Sequence, residues 1–507
     1  MRTVTGPTEK IVIVGAGLGG LSAALRLAGA GRHVTVVERA EVPGGRAGRL
    51  RINDYQFDTG PSVLTMPDLI ADAFDCVGEN IDDWLRLRPV DPVYRACYAD
   101  GSTLDIHADP DATADEIARV CGPAEAAGYR RFVTFVSDLY RAQLRDFIDA
   151  SIDSPLSLLR PSLARLVALG AFRRLEPMVG RYLHDERTRR VFSFQAMYAG
   201  LSPQDALALY AVIAYMDSVA GVYFPVGGMH AVPAAMALAA VKHGVTFRYG
   251  TTVTGVEIRG RRAVAVHTSS GERIAADVVV LNPDLPTAYR ELLPAAVMPR
   301  RVRSLRYSPS CFLLLAGSGA DYGDQAHHTI HFGRAWRRTF DEIINRGELM
   351  SDPSFLVTTP TIGDPTLAPT RRHSYYVLFP TPNLTAPLDW SVLGRRYRDE
   401  VIETLERRGY VGFGAAIDVE HVITPADWRA QGMAAGTPFA AAHTFGQTGP
   451  FRPSNLAPGL DNVVFVGSGT QPGVGVPMVI ISGRLAAERV LGRDRAYRSR
   501  APRKPAA

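Results

Sequence analysis

Cysteine is scarce in this 507-residue chain and lysine scarcer still: four cysteines stand far apart, and lysine occurs only at positions 10, 242 and 504. No CxxC spacing is present, which excludes a disulfide-stapled scaffold and a cysteine metal site and favours a reduced, cytoplasmic interior. Long apolar runs are missing too. Stretches such as Ala231 to Val241 fall well short of the roughly 18 residues a spanning helix needs. The polar start MRTVTGPTEK does not read as a signal peptide. A soluble or peripheral protein is therefore expected. Nor does one sign of charge dominate. The net charge is +5, and the tail from Gly492 to Ala507 holds six basic residues against Asp494, so the remaining body is neutral in sum. A nucleic-acid partner is not indicated. The tail reads as a solvated, disordered end, with anionic lipid as the alternative contact.

What is present is ordinary globular composition at a length that calls for two or more domains. No linker, repeat or low-complexity block divides the chain. Lys10 to Val14 is a buried strand. Leu21, Ala24, Leu25 and Ala28 recur at helical spacing up to Gly29–Gly31, and His33 to Glu38 forms a second strand. From Ala112 to about Tyr215 the pattern is mostly helical. Short strands follow from Gly244 to Leu281, strands interleave with helices to Val422, and Asn462 to Val490 returns to strand, glycine turn and helix.

Between the first strand and helix lies Gly15-Ala16-Gly17-Leu18-Gly19-Gly20. Gly15 permits the tight turn, Gly17 lets backbone approach a pyrophosphate, Gly20 lets helix and strand pack closely, and the helix N-terminus offers free N–H groups to phosphate charge. Glu38 stands where it can accept hydrogen bonds from ribose hydroxyls. This motif alone leaves nicotinamide and flavin dinucleotides both open. Pro43-Gly44-Gly45-Arg46 and Phe57-Asp58-Thr59-Gly60-Pro61-Ser62 then suit an extended dinucleotide whose flavin lies beyond the sheet edge. Near the C-terminus, Val466 to Pro477 (VGSGTQPGVGVP) joins a strand to the last helix, whose start can point N–H groups at the pyrimidine end of an isoalloxazine.

Together with Gly221 to Met229 (GVYFPVGGM), Ala326 to Gly333 (AHHTIHFG) and Phe451 to Asn455 (FRPSN), this series resembles the bacterial phytoene desaturase family of carotenoid synthesis over nearly the whole chain. Ser468 and Gln471 depart from the family's commoner Ala and His. The resemblance implies an α/β fold: a Rossmann-type FAD-binding domain assembled from residues 1–90, 222–295 and 450–492. A mixed sheet-plus-helix substrate domain with a helical membrane-facing region takes 91–221 and 296–449, and 493–507 forms the tail. It implies FAD held by Gly15, Gly17, Gly20, Glu38, Gly45, Arg46, Gly60, Pro61, Ser62, Val253, Gly467, Gly475, Val476 and Pro477. It also implies stepwise dehydrogenation of phytoene toward lycopene, with hydride passing to flavin N5. The partners so implied are a long apolar polyene, the inner face of the cell membrane, and quinone or oxygen as electron acceptor. Rivals are a desaturase, isomerase or ketolase of another carotenoid, a flavin amine oxidase, and a non-catalytic prenyl-binding protein on the same fold.

No catalytic base can be named from these residues. Arg160, a cation in an apolar run, is the one catalytic candidate, against a membrane-facing or surface position. His327 and His328 lack a third ligand at metal spacing, so no metal is expected. Tyr198, Tyr210, Tyr215, Tyr223 and Phe224 suit either a polyene tunnel or plain core. Ser154 to Leu175 contains no acid and mixes leucines with Arg160, Arg165, Arg173 and Arg174. It reads as a basic amphipathic stretch for a bilayer interface, or as a core helix with an arginine-rich outer face.

Overall fold

The computed structural model describes residues 1–492, so the expected disordered tail at 493–507 lies outside the described residues. Five short strands, β1 Lys10–Val14, β2 His33–Val37, β3 Thr246–Arg248, β4 Val278–Leu281 and β5 Val463–Phe465, form one parallel sheet in the order β5-β4-β1-β2-β3. Val12 lies between Thr35 and Val279, and Val279 in turn pairs with Val463. The inner strands are rich in valine and isoleucine because both faces of a parallel sheet are covered. Its strands come from three distant parts of the chain.

On one face the helix Leu18–Gly29 runs against the last helix, Val476–Leu491. A side chain at Gly483 would meet the Gly19 carbonyl at 2.5 Å, so the close crossing depends on glycine there. Ser22 Oγ donates to the Ile480 carbonyl across the same contact at 2.8 Å. A three-stranded antiparallel meander, residues 253–275, flanks the sheet.

A second, seven-stranded sheet is built from Ile417–Ile423, Ser310–Ser318, His373–Thr381, Phe355–Thr358, His328–His331, Tyr94–Cys97 and Thr103–Ile106, in that order. All its pairs are antiparallel except His328–His331 beside Tyr94–Cys97. The helical segment starts three helices on proline, at Pro110–Cys121, Pro123–Gln143 and Pro161–Ala168. Proline is suited to the first helical position, where its missing N–H costs nothing. Among the described residues no helix is long and apolar enough to cross a membrane.

Candidate functional site

One cavity of 1090 Å³ runs from the glycine motifs of the parallel sheet to the helical segment. Of the cofactor-binding candidates, Gly15, Gly17, Glu38, Gly45, Arg46, Gly60, Pro61, Ser62, Val253, Gly467, Gly475, Val476 and Pro477 all line it. Gly20 does not. It sits behind the turn, where a Cβ would meet the Gly15 carbonyl at 2.3 Å, so its role is helix–strand packing. At Gly17 a Cβ would reach Asn282 Nδ2 at 2.8 Å and project into the space beside the turn.

Two helices that start on the cavity, at Gly17–Leu18 and Gly475–Val476, lack a side-chain N-cap and lack acids in their first turns. Their leading N–H groups and positive dipole ends are left for an anionic group. Glu38 is buried, with Oε2 accepting from Ala16 N at 2.6 Å and Oε1 from Ala40 N at 2.9 Å. A carboxylate has about four acceptor sites, so two remain for hydroxyls. These features fit an elongated dinucleotide carrying a pyrophosphate and a ring of partial negative charge.

The cavity wall is tied together by polar side chains from separate motifs. Arg46 pairs with Asp284 at 3.0 Å and also donates to Ser468 Oγ. Asp284 in turn accepts from Ala434 N at 2.8 Å. Arg452 is buried and donates through Nε to the Thr470 carbonyl at 3.0 Å; burial draws its pKa down to about 10. Asp58 accepts from Met229 N at 2.8 Å and His230 N at 3.1 Å, which joins FDTGPS to GVYFPVGGM. Burial pushes its carboxyl up to about 6. The two departures from the commoner motif both have partners. Ser468 holds Arg46, and Gln471 exchanges two hydrogen bonds with the backbone of Ile152, at 3.1 and 2.9 Å. Gln471 thereby anchors the chain just ahead of Ser154 to the cofactor loop.

At the other end the wall is apolar. Leu158, Leu163, Leu166, Phe172, Phe194 and Met216 line it, with Tyr198 and Tyr210. The other three aromatics considered for a tunnel lie elsewhere: Tyr215 stacks on Tyr140 at 4.3 Å, Phe224 lies against His327 at 4.6 Å, and Tyr223 is outside the lining. Arg160 is also outside it, paired with Asp146 on the helix side and donating to the Ser157 carbonyl at 3.2 Å.

Ser154 to Leu175 divides by helical period. Leu163 and Leu166 turn to the cavity, while Leu156, Leu159 and Val167 point outward, the first two 75% and 73% exposed. Three of its arginines are engaged: Arg160 with Asp146, Arg165 with Asp138 and Arg174 with the Asp205 carbonyl.

Sequence reasoning missed Asn282, Asp284 and His443, whose roles depend on folded neighbours, and Asp217. Asp217 did carry a signal, as the one Asp, Glu, Lys or Arg between Asp205 and Lys242.

The sequence matches, over residues 18–491, the family described as flavin containing amine oxidoreductase. It is 56% identical to a phytoene dehydrogenase of Streptomyces griseus, covering 97% of each chain. It is 34% identical to a lycopene-forming phytoene desaturase of Pantoea ananas, covering 94% of this chain and 97% of that one. A putrescine oxidase structure shares the fold with a TM-score of 0.61 at 17% identity, covering 96% of this chain and 100% of that one. The architecture is thus the flavin amine oxidase type of α/β fold, with mixed sheets and helices. The chain belongs to the flavin-containing amine oxidoreductases, among the phytoene desaturases, and its cofactor is FAD.

Proposed function

We propose that this chain desaturates a carotenoid precursor, dehydrogenating phytoene stepwise toward lycopene. The observation that carries the reading is the single cavity whose glycine-lined end suits a dinucleotide and whose other end is walled by leucine and aromatic side chains. Bound FAD supplies a hydride acceptor at flavin N5. The chain's own residues do the rest. Gly15 and Gly17 admit the pyrophosphate, Glu38 holds the adenosine ribose, and Arg46, fixed by Asp284 and Ser468, stays beside the cofactor. The motif residues Gly45, Gly60, Pro61, Ser62, Val253, Gly467, Gly475, Val476 and Pro477 complete the cradle, and Gly20 keeps its helix close to the strand. Leu163, Leu166 and Met216 orient a featureless hydrocarbon and exclude water, and such positioning supplies much of the rate for a substrate without polar handles.

Such a substrate enters from a bilayer. Leu156, Leu159, Val167 and the half-exposed Phe172 stand at the cavity rim and bury in the acyl boundary, with Arg173, which has no ion pair among the described residues, at the headgroups. Docking is on the inner face of the cell membrane, and quinone or oxygen would serve as the electron acceptor. In this reading residues 1–90, 222–295 and 450–492 form the FAD-binding domain and 91–221 and 296–449 the substrate domain. The test is product analysis of the flavin-loaded protein with C40 phytoene in liposomes. More desaturated polyenes are expected, and unaltered phytoene contradicts the reading.

A further inference from the structure

Four carboxylates line the cavity: Glu38, Asp217, Asp284 and Glu291. Glu38 is held by two backbone N–H groups, Asp284 by Arg46 and Ala434 N, and Glu291 is exposed. Asp217, on the short helix Val212–Ser218, differs from all three. It is 4% exposed, and neither hydrogen bond nor ion pair reaches its carboxylate among the described residues. Its companions in the wall, Val212, Ile213 and Met216, are apolar. An ionisable group buried without a partner costs stability and gives a hydrocarbon nothing to bind. The proposed reaction nevertheless needs one polar service in this part of the cavity: each new double bond releases a proton as well as a hydride.

We propose that Asp217 is the catalytic base that takes this proton from the polyene, an assignment that rests on the desaturase reading. One carbon gives up hydride, with its electron pair, to FAD. The C–H electron pair of the neighbouring carbon becomes the new π bond, and that carbon's proton forms an O–H bond on Asp217. The proton passes to water when the product leaves. Other lining groups are poor acceptors. His443 takes a hydrogen bond from Val474 N at 3.4 Å, and burial, then Arg452, hold its imidazole well below the usual range. The groups whose titration is coupled to Asp217 are the phenols of Tyr94, on Tyr94–Cys97, and Tyr198, on Phe194–Ala199. Burial, then the Asp217 charge, keeps both protonated. Burial alone pushes the Asp217 carboxyl up to about 7, the range in which a base works best near neutral pH.

The experiment compares wild type, Asp217→Asn and Asp217→Glu as flavin-loaded, full-length proteins with phytoene in liposomes. Asp217→Asn is expected to keep its flavin and lose about 100-fold or more in turnover. Asp217→Glu is expected to recover part of the loss. The wild-type rate should rise with pH through about 7, a limb absent from Asp217→Asn. A second readout needs no turnover. An unfolded aspartate ionises near 3.8 and the folded one near 7, so wild-type stability is lost between these values. Asp217→Asn should therefore melt higher than wild type above pH 7, by a margin that closes on acidification. Wild-type turnover in Asp217→Asn, an unchanged pH limb, or a lower melting point above pH 7 overturns the assignment while leaving the desaturase reading intact. A wild-type chain inert toward phytoene overturns both.

Discussion

The two ends of the cavity are built by opposite means. At the cofactor end, main chain does the work. Gly15, Gly17, Gly467 and Gly475 bring backbone to the surface, helix N-termini are left uncapped, and three buried or half-buried charged side chains are committed to partners: Glu38 to Ala16, Arg46 to Asp284, Arg452 to Thr470. At the far end, side-chain bulk does the work, and among the described residues the one carboxylate in its wall, Asp217, has no hydrogen-bond or ion-pair partner. A polar ligand needs fixed donors and acceptors, and a hydrocarbon needs only a shaped, dry wall. An uncommitted charge in such a wall is therefore the informative residue.

The contrast can be broken first at the cofactor end. Gly17→Val puts a branched side chain against Asn282 Nδ2 and into the pyrophosphate space. The purified variant is expected to be folded and free of flavin absorbance, and full flavin content in it would contradict the account. Glu38→Ala removes the acceptor of the Ala16 and Ala40 N–H groups along with the proposed ribose acceptor and should weaken FAD by about 1–3 kcal/mol, read by titrating the flavin-free protein.

At the apolar end, position within one stretch decides the outcome. Leu156→Glu/Leu159→Glu alters exposed side chains, so stability should change by less than about 0.5 kcal/mol per site while co-sedimentation with liposomes is lost. Deleting residues 493–507 should remove only a salt-sensitive part of the binding. Leu166→Glu instead buries a charge at a side chain 2% exposed and should cost at least about 2 kcal/mol. Membrane binding kept by the double variant would make the rim an ordinary surface.

The smallest expected effect concerns the second sheet. Burial holds His327 at about 4 and His331 at about 3, below the ordinary 6.5. The unfolded chain therefore takes up protons first, and stability should fall as pH drops from about 6.5 toward 4. Replacing His327 with Phe should flatten part of that slope in thermal melts, and an unaltered slope would contradict it.

The same contrast explains what the sequence disclosed. Backbone-built features leave a local trace: Gly15, Gly17 and Gly20 between a strand and a helix, with Glu38 at the end of the next strand, needed no distant neighbour to be read. The strands Lys10–Val14 and His33–Val37 were legible for the same reason, as short valine-rich and isoleucine-rich runs beside glycine turns. Side-chain ties were not. Nothing near Ser468 announces Arg46, and nothing near Gln471 announces Ile152, because the partners lie far off in the chain. The leucines of Ser154 to Leu175 looked alike until the start at Pro161 fixed the helical phase, sending Leu166 inward and Val167 out. Asp217 left only the trace of a lone charge, which the sequence reading passed over and which gains meaning once the cavity beside it is seen.

The most direct test of a single cavity joining flavin to a hydrocarbon channel is the flavin spectrum itself. Purified, flavin-loaded protein is mixed without oxygen with phytoene in liposomes and, separately, with putrescine. The account predicts bleaching of the flavin absorbance by phytoene alone. Bleaching by the amine with none by the polyene would contradict it.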